Sequence, residues 1–287
     1  MRQQRHELWL ALPSLCVVAL FCIVFVSFAS VSLMKVDPGG AVMHGPLSLS
    51  NYERALVSPA VRQTAYYTIR LALLITLLSV LLGYPLAYVL ARSPSSRMRR
   101  AILLCLVATF LSGGVTRAYA WTIILGNRGL INLGLQWLGL PRLALINNET
   151  GVIISVLNFI LPFFVLTLFG AIRTIPLNLE QAARNLGASR GRVFRHVTLP
   201  LSLPGLAASA SLAFALSLGA FLFPQLLGGG RVQVMATLIY DRILSSYDIP
   251  AAATLSVLFL LLVLTMLGGL ALARRLIGSR YGAPEAA

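Results

Sequence analysis

The segment Glu180-Gln-Ala-Ala-Arg-Asn-Leu-Gly-Ala-Ser-Arg-Gly-Arg-Val-Phe-Arg-His-Val-Thr-Leu-Pro200 lies between two long apolar runs, and the rest of the chain is organised around it. Charged, punctuated by glycine and rich in arginine, it reads as a loop with its own local structure. Leu179, Ala182, Ala183 and Leu186 fall at i, i+3, i+4 and i+7. This spacing predicts a short helix with those residues on its apolar face and Glu180, Gln181, Arg184 and Asn185 opposite. Asn178 reads as its N-cap, with Gln181 three residues later as in a capping box, and Glu180 in the first turn suits the positive end of the helix dipole. Gly187 is placed to end the helix in a left-handed conformation, Ser189 to cap a second short helix, and Pro200 to turn the chain.

Outward from this loop the chain is apolar. Of its 287 residues 58% are hydrophobic and 11% charged, a composition that excludes a water-soluble globular domain and places the protein among polytopic membrane proteins. Six runs are long enough to cross about 30 Å of hydrocarbon as helices. They cover approximately 9–33, 66–91, 101–125, 151–172, 204–226 and 250–273. Arg2 and Arg5 precede the first run, but it is too long for the apolar core of a signal peptide and reads as an uncleaved span.

Of the 23 Lys and Arg residues, fourteen fall in the termini and in the segments after the second and fourth runs, and seven in the other connections. Arg70 and Arg117 lie inside spans. The positive-inside rule therefore predicts that both termini, the 92–100 loop and the 180–200 loop are cytoplasmic. The net charge of +15 calls for no nucleic acid, because Arg97, Arg99, Arg100, Arg274 and Arg275 abut span ends, where anionic lipid headgroups attract them.

Catalytic chemistry finds little support. Cys16, Cys22 and Cys105 lie in apolar runs and read as packing residues, while His6, His44 and His196 are too scattered to share a metal. No paired carboxylates and no Ser/His/Asp set are evident. Lys35 is the only lysine, and it stands in Leu33-Met34-Lys35-Val36, so a phosphate-cradling loop ending in Gly-Lys-Ser/Thr cannot form. The expectation is that no cofactor or metal is bound by this chain, and that any ATP used to drive it binds elsewhere.

The loop also resembles a family signature. Gln181-Ala182-Ala183, Gly187, Val197 and Leu199-Pro200 have the spacing of the EAA motif of ABC importer membrane subunits: Glu-Ala-Ala, three residues, Gly, nine residues, Ile, one residue, Leu-Pro. Val197 replaces Ile, and Gln181 occupies the glutamate position with Glu180 one residue early, so the contacts of that glutamate are expected to differ. Gly83-Tyr84-Pro85-Leu86-Ala87-Tyr88, Arg117-Ala118-Tyr119-Ala120-Trp121, Gly129-Leu130-Ile131-Asn132 and Leu161-Pro162-Phe163 are similar to the first permease of spermidine/putrescine ABC importers.

The resemblance implies an all-α, six-helix, type I importer permease of the bacterial inner membrane. Its implied partners are two ATPase subunits, a homologous second permease and a periplasmic solute-binding protein. The expected organisation is a first helix and outer loop over 1–61, a five-helix core over 62–275 with a cytoplasmic coupling loop at 173–203, and a tail at 276–287. Glu180, Gln181, Ala182, Ala183, Leu186, Gly187, Ser189, Leu199 and Pro200 are the expected ATPase-coupling residues. Tyr67, Tyr84, Tyr88, Tyr119 and Trp121 are candidates for the translocation path, with interfacial anchoring as the alternative for aromatic residues near span ends.

The cargo implied by the resemblance is a polyamine or a related small solute. No Asp or Glu falls within an expected span, so the chain offers a polycation no buried anionic trap, whereas Arg70 and Arg117 suit an anion such as an organophosphonate or carboxylate if they face the path. An autonomous channel or secondary transporter is the rival from another class. It calls for intramembrane carboxylates or an inverted repeat, and neither is evident.

Overall fold

The structure, a computed structural model, describes residues 2–34 and 48–280, with side chains over 14–34 and 48–272. Lys35, much of the outer loop that follows it and the last part of the 276–287 tail lie outside the described residues. Every regular element among the described residues is helical. In chain order these are α1 (Arg2–Val31), α2 (Ser50–Val57), α3 (Pro59–Arg92), α4 (Ser96–Leu111), α5 (Gly114–Leu125), α6 (Leu130–Trp137) and α7 (Glu149–Arg173). They continue with α8 (Leu177–Asn185), α9 (Arg190–Val193), a π-helical turn (Phe194–Thr198), α10 (Leu199–Leu218), α11 (Leu222–Leu227), α12 (Met235–Leu244) and α13 (Ile249–Arg280).

Five helical segments among the described residues are long and apolar enough to cross a membrane, starting at Ser14, Pro59, Glu149, Arg190 and Ile249. The third expected span, 101–125, is not one straight helix: α4 and the segment Gly114–Trp137 meet at 103°. Ser112 and Gly113 are extended there, and Gly113 has no side chain to resist the bend. Pro85 and Pro162, by contrast, sit inside helices that run on through them. The fifth span also differs from expectation. It begins upstream of Pro200, so the chain does not turn at that proline. The π-helical turn directly before it widens the backbone where proline has no N–H to donate and crowds the carbonyl four residues back.

The chain divides into two compact units. One comprises residues 1–65 and 237–262, and is held by polar contacts at the end of α1. Ser32 Oγ shares a hydrogen bond with Tyr52 Oη at 2.6 Å. Asn51 Nδ2 donates to the carbonyls of Ser32 and Met34, and Thr254 Oγ1 also donates to Ser32 O. These donors satisfy carbonyls that a helix end leaves without intrahelical partners. Cys16 and Cys22 in α1 are exposed, as is Cys105 in α4, so they face outward instead of packing inside.

The other unit comprises residues 66–236 and 263–287 and contains the main core. Its centre is α7, where Ile160, Phe164 and Leu168 are fully buried. Small residues let neighbouring helices close on it: a Cβ at Gly83 of α3 would run into the Phe164 ring, and one at Gly205 of α10 into the Ala171 side chain. Hydroxyls in this apolar interior return to their own helices, as Ser79, Ser155, Ser209 and Ser217 each donate to the carbonyl four residues back.

Candidate functional site

The quoted loop folds as two short helices, and its first helix departs from expectation at Glu180 and at its leucines. Glu180 is buried, only 3% exposed, whereas Leu177, Leu179 and Leu186 are exposed, Leu186 to 89%. Gln181, Ala182 and Arg184 are exposed as well, and Ala183 is half-buried. Periodicity located the apolar face, but within this chain Glu180 alone of the polar face is drawn in, while Gln181, Arg184 and Asn185 stay exposed as expected. Arg92 Nε, in the last turn of α3, donates to Glu180 Oε1 at 2.8 Å, and the two side chains are 9% and 4% exposed. The same oxygen accepts from Thr198 Oγ1 of the π-helical turn at 3.1 Å, and Arg92 Nη2 donates to Ile175 O at 3.0 Å. Charge-assisted bonds of this kind are shorter and stronger than neutral ones, and a buried carboxylate left without them would be costly.

The caps of α8 also differ in part. Pro176 occupies the N-cap position, no side chain caps the helix, and Asn178 lies inside its first turn. The C-terminus is as the sequence suggests. Gly187 has φ +82°, its N–H donates to Arg184 O at 2.9 Å, and Ala188 N–H donates to Ala183 O at 3.1 Å. This pair of bonds is a Schellman motif, whose left-handed residue is most easily a glycine. Ser189 takes the N-cap position of α9 without a side-chain bond.

The anchor extends into the helices behind the loop. Phe194 of the π-helical turn receives Tyr84 and Tyr88 of α3 edge-on, with centroids 5.7 and 5.2 Å away, and Tyr84 Oη shares a 2.8 Å hydrogen bond with Ser202 Oγ of α10. Thus α3, α8, the π-helical turn and α10 are clamped together. On the exposed side, Ala183, Ala188, Val193 and Val197, with Arg192 and His196, line a shallow hollow beside α8. Leu199 is half-buried and Pro200 exposed at the start of α10.

The five aromatic path candidates do not assemble into one lining. Tyr84 and Tyr88 serve the clamp just described. Tyr67 stands near Arg70, whose guanidinium lies 5.8 Å from its ring centroid and also pairs with Glu149 at 3.1 Å. Tyr119 is exposed, and Trp121 Nε1 donates to Asn158 Oδ1 at 3.2 Å. Trp121 therefore packs against α7 instead of anchoring at an interface, while Trp137 is exposed. Sequence reasoning missed Arg92 and Thr198 as members of the site. The signal was present in an arginine at the end of an apolar helix, where the negative pole of the dipole and a nearby carboxylate both favour it.

Residues 6–278 match the family described as "Binding-protein-dependent transport system inner membrane component". The chain belongs to this family. It is an inner-membrane permease subunit of a binding-protein-dependent ABC importer. The permease is 32% identical over 212 residues to the spermidine/putrescine transport system permease protein PotB of Escherichia coli (strain K12), a match covering 73% of this chain and 76% of the relative. It is 38% identical over 214 residues to the molybdenum transport system permease protein ModB of Mycobacterium bovis (strain ATCC BAA-935 / AF2122/97), covering 73% and 78%. Among solved structures, a bacterial ABC transporter that imports the acidic polysaccharide alginate shares the fold with a TM-score of 0.76 at 19% identity, over 96% of this chain and 97% of that one.

Proposed function

We propose that this permease moves a small organic solute inward by alternating access, and that α8 is the element through which separate ATPase subunits drive it. The observation that carries the reading is the way α8 is mounted. Its leucines are exposed while its glutamate is bonded to α3 and to the π-helical turn, so an apolar face is offered outward on a rigid mount. Exposed leucines on a short helix gain most when a partner's groove buries them. Closure of two ATPase subunits on ATP would push α8, and the clamp would carry the push into α3 and α10 as rigid-body movement.

In this reading the chain is non-catalytic and binds no cofactor, both termini are cytoplasmic, and a homologous second permease completes the pathway opposite a periplasmic solute-binding protein. The cargo suggested by the PotB likeness is spermidine, putrescine or a related solute. A small organic anion such as an organophosphonate is the second reading, favoured by the buried guanidinium of Arg117 and by the absence of Asp and Glu from the interiors of the described spans. Reconstitution tests the proposal. The chain alone in vesicles should neither hydrolyse ATP nor accumulate solute, and adding the ATPase, second permease and binding protein should produce both. Uptake by the isolated chain would refute it.

A further inference from the structure

Arg117 of α5 is 8% exposed and has no acceptor for its Nε or Nη1 among the described residues. Its guanidinium carbon sits 4.8 Å from the centroid of Phe159. Phe159 is about 15 Å along α7, a helix of about 37 Å at about 1.5 Å per residue, so the charge is far from either end. The surroundings are apolar. Phe110 and Phe163, Phe163 and Phe159, and Phe159 and Phe223 form successive ring contacts at 5.0, 5.6 and 5.4 Å. One turn further along α5, Trp121 Nε1 donates to Asn158 Oδ1. Stacking on Phe159 offsets part of the desolvation, but a guanidinium without an oxygen partner in such a place is expensive.

The backbone is unusual at the same spot. The chain breaks between α4 and α5 at Ser112-Gly113, and again between α10 and α11 at Gly219 to Phe221. The breaks adjoin: a Cβ at Gly114 would touch both Leu222 and Phe159 at 3.9 Å. Irregular backbone at membrane depth is tolerated where it is buried in protein or lines a water-filled cavity. Two interrupted helices and an unpaired cation therefore converge on one face of α7. The other buried guanidinium of this unit, Arg92, has its carboxylate, and Arg70 has Glu149.

We propose that Arg117 is an anion-recognition residue of the translocation path, taking a carboxylate, phosphonate or other oxyanion group of the cargo. This rests on the importer reading and narrows its substrate class. In the conformation described, α5 packs on α7 and α11, and Nε and Nη1 of the guanidinium are buried. Movement of α5 about the Ser112-Gly113 break presents its planar fork of donors to a solute oxygen, which it binds by two parallel hydrogen bonds. A cation that gains its partner only while solute is present couples occupancy of the path to the position of α5.

The test uses the assembled complex, with its ATPases and second permease, in lipid nanodiscs. The wild type is compared with Arg117→Met and Arg117→Lys, and the probes are 2-aminoethylphosphonate, succinate and molybdate against putrescine. Arg117→Met should melt higher than the wild type without solute, since it replaces an unpaired charge by an apolar chain of similar length. At least one anion should raise the wild-type melting temperature; that shift should vanish in Arg117→Met and persist in part in Arg117→Lys. A lower melting temperature for Arg117→Met assigns the arginine to the fold and overturns the proposal. A shift with putrescine and none with any anion also overturns it, as does loss of the second permease from the Arg117→Met complex, which would place the counter-charge on that subunit. A wild-type complex that hydrolyses no ATP with binding protein present refutes the importer reading itself.

Discussion

Arg92 and Arg117 are both buried guanidiniums in the same unit, yet one is held by two hydrogen bonds and the other by a phenyl ring. Glu180 Oε1 and Ile175 O accept from Arg92, and Thr198 adds a second donor to the carboxylate, so that region is closed chemically. The region around Arg117 is closed sterically and left open chemically. A satisfied buried ion pair fixes a geometry, and here it fixes the presentation of α8. An unsatisfied one disfavours the state that contains it, which suits an element that must move during a transport cycle.

The largest expected effect comes from opening the satisfied pair. Glu180→Gln leaves Arg92 buried without its counter-charge and should cost about 3–5 kcal/mol, read as a lowered melting temperature together with loss of solute-stimulated ATP hydrolysis. The double substitution Arg92→Met with Glu180→Leu removes both charges and should recover much of that stability. If the double variant is no better than the single one, the pair is not what distinguishes the two regions. The opposite sign, a gain in stability, is expected for Arg117→Met, and equal signs at the two sites would remove the contrast.

Next in size, Gly187→Val forces a β-branched residue to φ +82° and should cost roughly 1–2 kcal/mol. A Cβ there meets nothing within 4 Å, so the cost is conformational and the damage should be to the direction of α9. Membrane insertion should remain normal while copurification of the ATPase falls, and normal copurification would reduce the loop to a connector. Tyr84→Phe removes one hydrogen bond, to Ser202, and should cost about 0.5–1.5 kcal/mol while leaving the ring contact with Phe194 in place. Its effect on ATP hydrolysis should be small compared with that of Glu180→Gln.

The smallest effect on the fold is expected for Leu186→Ser. Leu186 is 89% exposed, so stability should change by less than about 0.5 kcal/mol, yet binding of the ATPase should weaken clearly. This separates the mount from the surface it presents. Substitution of the anchor should damage folding and coupling together, whereas substitution of an exposed leucine should damage coupling alone.

Much of this was legible in the amino-acid order. Long apolar runs require helices in hydrocarbon, and Gly187 marked the end of α8 because only a left-handed residue closes its last carbonyls. The break at Ser112-Gly113 is not marked by the apolar run around it, which continues on both sides. The prolines at 85 and 162 are stronger local signals for a break, yet their helices continue through them. Which way α8 faces was beyond local reading, because a periodic pattern names an apolar side without naming the body that buries it. Arg92 is 88 residues from Glu180 in sequence, and only the fold brings them within 2.8 Å. Equally, Arg117 and Arg92 are the same residue type in similarly apolar runs. That one has a carboxylate and the other has none was decided by tertiary structure, since counter-charges are supplied by whatever helix the fold places alongside.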